Sequence, residues 1–379
     1  MSSVKALTVS GYKSIRELRN FPLTNLNVLI GANGAGKSNF VSLFRLLNEM
    51  YEQRLQVYVQ TQGGPDALLH FGRNTSNKLH AEFYFADDRY KFELIPTNDN
   101  RLIFQTEEVA KYLPNSRSPM ESTGKGGQEE SWMKNGFPIS RVAESALNPL
   151  QELNENFNFE IARVRDTVSN WRVYRFQDTG DKAKIKQIHP ANDNLRLKPD
   201  AANLAAYLRM LHDKHPPYYQ RIVDTIRLVA PFFGDFVHRP NAEHVELEWT
   251  QKGKPDTPFK ALHLSDGTLR FICLATLLLQ PSELLPDTIL IDEPELGLHP
   301  YAISVLADIF KQVAEGKQLI VSTQSVELIN ELSPEDIIVV DQENDASIFK
   351  RFTQEELKGW LEEYSLGEMW KCNILGGRP

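Results

Sequence analysis

The run Gly31-Ala32-Asn33-Gly34-Ala35-Gly36-Lys37-Ser38 gathers three glycines, a lysine and a hydroxyl within eight residues. Glycines at this spacing let backbone N–H groups approach phosphate oxygens that a side chain would hold off. The lysine can reach the β and γ phosphates of a nucleoside triphosphate, and the following hydroxyl can ligate Mg2+. Asn33, Gly34, Ala35, Gly36, Lys37, Ser38 and Asn39 are therefore expected to cradle ATP, with Ser38 also a metal ligand. The competing reading is a glycine-rich turn without chemistry. It is weakened by the apolar run Leu26–Ile30 before the loop and the helical spacing of Phe40, Val41, Leu43, Phe44, Leu46 and Leu47 after it.

A second group is the acid pair Asp292-Glu293, which closes the apolar run at 288–291. A carboxylate there can hold Mg2+, directly or through water, while its neighbour orients or deprotonates an attacking water, a role worth about 10²–10⁴ in rate. Asp292 is the expected metal ligand and Glu293 the expected base. A third group, Leu264-Ser265-Asp266-Gly267-Thr268, precedes Asp292 and leads into an apolar helical run. A hydroxyl, a glycine N–H and a helix start together suit an anion. A single chain, however, has no need of a second phosphate site.

These groups require a scaffold, and the pattern predicts one. Residues 4–10 and 21–23 read as short strands leading into Leu26–Ile30 and the loop. Residues 80–85 and 90–95 read as a hairpin with Asp87-Asp88 at its turn, hence an antiparallel subdomain. Residues 114–136 are crowded with Pro, Ser, Gly and charge, which predicts a mobile surface excursion. Helical patterns cover about 141–168 and 201–211, the latter with Pro199-Asp200 as its start signal. From residue 288 apolar strand patterns (288–291, 318–321, 337–340) alternate with helical ones (301–313, 326–332), which implies a parallel sheet. In the tail, Phe352, Leu357, Trp360, Leu361 and Tyr364 suit one amphipathic helix packed on the core.

At 379 residues, two structural units are expected, because single cores stop growing at roughly 250–300 residues. The net charge of −8 leaves nucleic-acid contact to a local basic patch. Two cysteines, Cys273 and Cys372, with no spaced Cys/His cluster support neither a disulfide framework nor a zinc site. The longest apolar stretch, residues 271–279, falls far below the roughly 20 residues that cross a bilayer, so a soluble, cytoplasmic protein without membrane contact is expected.

The phosphate loop, the acid pair and the Ser-Asp-Gly segment together resemble the ATP-binding cassette (ABC) ATPases, where the last of these caps the γ-phosphate held by another subunit. The likeness implies a head-to-tail ATP-sandwich homodimer and adds Ser265 and Gly267 to the nucleotide contacts. Asn33, Tyr12-Lys13-Ser14-Ile15 and Glu293-Pro294-Glu295-Leu296-Gly297-Leu298-His299-Pro300 look like the RecF- and SMC-like branch. More narrowly, with residues 195–208 and Leu366-Gly367-Glu368-Met369-Trp370 included, the chain resembles stand-alone bacterial AAA-type ATPases related to the ATPase half of OLD-type nucleases.

The resemblance implies an α/β, ABC-type P-loop NTPase with a mixed or parallel core sheet, an antiparallel β subdomain and an inserted, mostly helical lobe without a long coiled coil. Its segments would be 1–110, 111–255 and 256–379. Gln324, in Val321-Ser322-Thr323-Gln324-Ser325, stands where many cassette ATPases carry a histidine. A neutral amide can hydrogen-bond a γ-phosphate but carries no charge. The expected catalytic set is thus Glu293, Lys37 and Gln324, with slow turnover. Asp266 replaces a usual glycine and is expected to face solvent. Gln60, Gln62 and His70 are weak candidates for the glutamine that links core to lever arm, and His299-Pro300 either shapes a dimer-interface loop or starts the next helix.

The interval between loop and Ser-Asp-Gly segment lacks heptads, which excludes a long-armed tether. It holds a basic and aromatic cluster: Arg163, Arg165, Trp171, Arg172, Tyr174, Arg175, Phe176, Lys182, Lys184 and Lys186. The cluster suits either DNA contact with base stacking or a solvated surface whose aromatic side joins the core. Two functions follow. One is an ATPase of DNA repair, DNA maintenance or anti-phage defence, coupled to DNA or to a separately encoded effector or nuclease, since the tail is expected to be too short for a nuclease fold. The other is an ATP-gated scaffold that holds and releases a partner protein. A transporter ATPase is less favoured.

Overall fold

In the computed structural model, which describes residues 3–86, 88–111, 120–123, 126–133 and 164–378, alternating apolar residues near the N-terminus become strands of one sheet. The chain forms two units, Met1–Arg172 with Ile338–Arg351 and Leu375–Pro379, and Val173–Ile337 with Phe352–Ile374.

The first unit contains strands β1 (Ala6–Tyr12), β2 (Ile15–Pro22), β3 (Leu26–Ile30), β4 (Leu79–Tyr84), β5 (Asp88–Pro96), β6 (Leu102–Lys111) and β7 (Met120–Thr123). All but β3 form an antiparallel sheet in the order β2-β1-β4-β5-β6-β7. In β1, β4 and β5 burial alternates with period two, as a sheet with one covered face requires. The expected hairpin is β4–β5, with Phe83 opposite Tyr90. Part of the expected excursion is instead a strand: β7 pairs with β6, satisfying backbone groups that would otherwise form an open edge. The rest of that segment, and the helical pattern at 141–163, lie largely outside the described residues.

β3 is buried along its whole length beside strand Ile337–Glu343, which pairs antiparallel with Ala346–Arg351. Helix Lys37–Tyr51 follows the loop and turns its apolar stripe inward. Phe40 meets Phe349 at 5.4 Å between ring centroids, and Phe44 meets Trp171 at 5.2 Å and Phe83 at 5.9 Å. This aromatic seam anchors the helix whose first turn bears the loop.

The second unit is built on the parallel pair Thr288–Asp292 and Gln318–Ser322, in register from Thr288 opposite Gln318 to Asp292 opposite Ser322. Every residue of both strands is buried, which explains the apolar runs at 289–291 and 319–321. Helix Pro300–Ala314 connects them and packs on Gln318–Ser322 and on helix Asp266–Leu279. A three-stranded antiparallel sheet, Phe233–Phe236, Glu248–Gln251 and Lys254–Lys260, closes around Phe233 and Trp249, whose rings stack at 5.8 Å.

Three sequence expectations shift. Helix Leu204–Lys214 starts three residues later than its apolar pattern, because Asn203 first closes a loop by donating to the carbonyls of Asp193 (2.9 Å) and Arg196 (2.8 Å). The tail is not one amphipathic helix but two short ones, Gln354–Leu361 and Leu366–Lys371, each started by its own capping box. Of the expected contact residues Leu357 is buried, while Trp360 and Tyr364 are exposed and pair with each other. Packing falls instead to Leu366, Met369 and Trp370, which face helix Val326–Asn330. Among the described residues no helix is long and apolar enough to cross a membrane.

Candidate functional site

In the first unit the glycine-rich loop joins buried β3 to helix Lys37–Tyr51. Gly36 occupies the N-cap with φ 116°, a conformation open to glycine, and a Cβ there would lie 2.0 Å from Ser347 Oγ. No side chain caps this helix and its first turn carries no acid. Its leading N–H groups and the positive end of its dipole thus remain available to an anion. Lys37 is buried and its Nζ donates to the loop's own carbonyls, Gly31 O at 2.5 Å and Ala32 O at 3.0 Å. Asn33, Gly34 and Ser38 are exposed, while Ala35 is buried.

Residues far away in sequence brace the loop from behind. Ser347 Oγ donates to Ala35 O and is hydrogen-bonded to Ser14 Oγ at 2.7 Å, and Asn39 Nδ2 donates to the same Ser14 Oγ at 2.7 Å. Asn39, expected at the nucleotide, thus holds Ser14. Of the lever-arm candidates, His70 Nδ1 lies 2.7 Å from Lys13 O and Gln62 accepts from Lys13 Nζ at 3.5 Å, whereas Gln60 donates to Asn100 O on the surface.

In the second unit the strand pair delivers Asp292, Glu293 and Gln324 to one end. Asp292 is 5 % exposed; its Oδ1 accepts from Ser322 Oγ, and its Oδ2 is held by the Arg175 guanidinium. Glu293 turns out of the strand with φ 50°, an unusual backbone for a residue with a side chain, fixed by its N–H donating to Ser322 O at 2.8 Å. Its carboxylate accepts from Gln324 Nε2 at 3.2 Å and from Gln177 Nε2 at 2.9 Å. Glu295 accepts from the Gln324 backbone N–H at 2.9 Å, and burial pushes its carboxyl above the usual carboxylate range.

Ser265 is exposed and caps its own helix, its Oγ accepting from Thr268 N–H at 3.2 Å. Gly267 packs against the turn after Glu293: a Cβ there would lie 2.2 Å from Gly297 O. Asp266 is exposed, as expected. His299 caps helix Pro300–Ala314, accepting from Tyr301 N–H at 3.3 Å with Pro300 at the first helical position, so the helix-start reading of this pair holds.

Of the two readings of the basic and aromatic cluster, the one in which its aromatic side joins the core fits the burial. Trp171, Tyr174 and Phe176 are buried in the core and present no face for base stacking. Arg175 is committed to Asp292, and Lys184 pairs with Asp200 at 3.2 Å. Arg163 lies outside the described residues. Arg175, Gln177, Ser322, Glu295 and Arg270 were not read from the sequence as parts of this site. The one local signal is the i, i+2 spacing of Arg175 and Gln177 beyond strand Arg172–Tyr174, which puts two polar side chains on one side of an extended segment.

The donors fit Mg2+. Among the described residues no cluster of three or more His, Cys, Asp or Glu is gathered for a metal. Asp292 offers a carboxylate and Ser38 a hydroxyl, each the kind of hard oxygen taken by a cation that keeps most of its waters.

Residues 154–330 match the family model described as "AAA domain, putative AbiEii toxin, Type IV TA system". The structure is similar to the SmcHead bound to the C-winged helix domain of ScpA, with TM-score 0.58, 15% identity, and 93% of this chain and 99% of that one covered. It is also similar to the Smc head domain with an extended coiled coil bound to the C-terminal domain of ScpA derived from Pyrococcus furiosus, with TM-score 0.54, 14% identity, and 96% and 99% covered. Urease accessory protein 2 of Cryptococcus neoformans var. grubii is 27% identical over 192 residues, 48% of this chain; the match spans 15% of that protein's length.

Proposed function

We propose that this chain, which shares the fold of SMC head domains and matches an AAA family model over residues 154–330, is an ABC-type ATPase related to the SMC and RecF proteins that binds and slowly hydrolyses ATP with Mg2+. The observation that carries this reading is the helix Lys37–Tyr51, whose N-terminus has neither a side-chain cap nor a first-turn acid and lies directly behind a glycine-rich loop. Lys37 and the loop amides bind the phosphates, and Ser38 and Asp292 hold Mg2+, which supplies charge neutralisation at the phosphate oxygens when bound. Glu293 accepts the proton of the attacking water, and Gln324, hydrogen-bonded to it, orients that carboxylate toward the γ-phosphate. Ser265 and Gly267 serve nucleotide on a second copy, in an ATP-sandwich homodimer.

The dimer couples nucleotide state to a separately encoded effector or to DNA, in DNA maintenance or anti-phage defence. The family description, a putative AbiEii toxin, supports defence. The SMC heads bound to ScpA domains support a protein partner. Base stacking is unsupported because the aromatic rings are buried. A second reading, an ATP-gated scaffold, is favoured by the two amide donors on Glu293, which occupy both carboxylate oxygens that an attacking water would have to reach.

The test is nucleotide binding, phosphate release and molecular size of the purified chain. Lys37→Ala should abolish binding; Glu293→Gln should keep binding, lose about 10²–10⁴ in turnover and accumulate an ATP-bound dimer. Binding without turnover in the wild type selects the scaffold, and absence of binding rejects both.

A further inference from the structure

The strongest feature left unused by that function is the contact between Arg175 and Asp292. Arg175 Nε lies 3.1 Å from Asp292 Oδ2 and its Nη2 bonds the same oxygen, while Oδ1 is taken by Ser322. Both oxygens of the carboxylate are thus engaged, and the positive partner is the arginine. The exposures are unequal: the Asp292 side chain is 5 % exposed and that of Arg175 56 %. A buried carboxylate needs a counter-charge, because leaving it unpaired in low dielectric is costly. A half-exposed guanidinium, in contrast, returns to water at little cost. Among the described residues the Arg175 guanidinium has no second partner.

The backbone beneath it is held independently. Arg270 donates to Phe176 O at 3.2 Å, Gln177 O at 3.0 Å, Thr179 Oγ1 at 3.3 Å and Leu296 O at 2.8 Å, and Arg175 N–H donates to Pro199 O at 3.0 Å. The arginine side chain can therefore leave Asp292 without the segment moving, and its replacement by another cation needs no change in fold.

We infer that Arg175 is a positioning residue of the proposed site: it is the counter-ion that holds and aims the Asp292 carboxylate while no nucleotide is bound, and it must yield that carboxylate for Asp292 to join Mg2+. The inference rests on the ATPase reading and adds to it a threshold in metal concentration set by this chain. Arg175 and Mg2+ compete for one oxygen, so the arginine raises the Mg2+ level at which metal-dependent nucleotide binding sets in. A merely structural arginine would leave that level unchanged.

The experiment is calorimetric titration of a non-hydrolysable ATP analogue into the full chain across a series of Mg2+ concentrations, and in EDTA. Arg175→Gln should lower the half-saturating Mg2+ concentration about three- to tenfold, the modest end of a charge-assisted bond because the arginine is half in water, with binding in EDTA unchanged. Lys184→Gln, which removes one positive charge of the same unit that is paired with Asp200, should leave the Mg2+ dependence as in the wild type. An unchanged or raised half-saturation in Arg175→Gln overturns the inference, as does an equal fall in Lys184→Gln, which would mean that net charge alone is responsible. Arg175→Lys keeps the charge but loses the planar fork, and serves if the neutral variant does not fold: an intermediate fall supports the inference and wild-type behaviour overturns it. Nucleotide binding by the wild type with no shift in either Arg175 variant sinks only the role of Arg175. Absence of nucleotide binding by the wild type sinks the ATPase reading and this inference with it.

Discussion

Gly267→Ala is the sharpest test of the geometry that joins the Ser265 segment to the turn after Glu293. A Cβ at this position would lie 2.2 Å from Gly297 O and 3.2 Å from Gly297 C, where ordinary contact begins at 3.4 Å. About 1 Å of backbone separation would have to open, and neither side yields easily. Gly297 lies in a turn closed by Leu298 N–H donating to Glu295 O at 2.9 Å and pinned by Arg270 Nη1 on Leu296 O at 2.8 Å. Gly267 lies in the first turn of a helix whose residues 271–279 are all buried. Alanine in a helix gains about 0.5–1 kcal/mol over glycine. Overpacking costs about 1–3 kcal/mol, and a 2.2 Å approach to a backbone oxygen belongs at the upper end, about 2–3 kcal/mol, so the net loss should be about 1–2 kcal/mol. For a unit of this size that is a fall in melting temperature of about 2–8 °C. Differential scanning calorimetry without nucleotide reads it directly and does not depend on the functional reading. A variant that melts at or above the wild-type temperature would refute the close approach of the two segments.

Gly359→Ala has the opposite sign: Gly359 lies inside helix Gln354–Leu361 with nothing within 4 Å of its would-be Cβ, so the variant should gain about 0.5–1 kcal/mol in chemical denaturation. Burial pushes the Glu107 carboxyl above its ordinary value of 4.5, against hydrogen bonds from Ser131, Trp132 N–H, Tyr90 and Gln128. The folded state therefore holds this proton more tightly than the unfolded state, and the resulting stability, complete below pH 4.5, declines as pH rises through the raised value. Glu107→Gln should remove that decline, and identical slopes of melting temperature against pH for variant and wild type would reject it. Gln324→Ala deletes an amide hydrogen-bonded to Glu293 at 3.2 Å and should slow turnover about tenfold with nucleotide affinity retained; an unchanged rate rejects the sensor role.

What could be read from the chain alone was what depends on neighbours in sequence. The loop 31–38 is local because its glycines, lysine and hydroxyl act through backbone geometry and one helix start. The apolar runs within Leu26–Ile30, Thr288–Asp292 and Gln318–Ser322 announced buried strands, and the alternation at 80–85 and 90–95 announced a hairpin, because side-chain period reports burial. Ser265, His299 and Thr353 start helices through caps, which are equally local signals.

Partnership across the chain was decided by the tertiary structure. Ser347 reaches the phosphate loop across 312 residues and Arg175 reaches Asp292 across 117, and no periodicity encodes either separation. The cluster around Arg175 had the composition of a nucleic-acid surface, but burial of Trp171, Tyr174 and Phe176 removes the faces that stacking needs. The tail failed as one amphipathic helix because a second capping box at Ser365 restarts the chain, and Met369 and Trp370 are buried where Trp360 and Tyr364, expected to pack on the core, are exposed. Local chemistry specifies which groups a segment can offer. Which of them meet, and which are spent on the core, follows from packing, since a buried ring is unavailable to a ligand and a buried carboxylate takes whichever cation the fold brings to it.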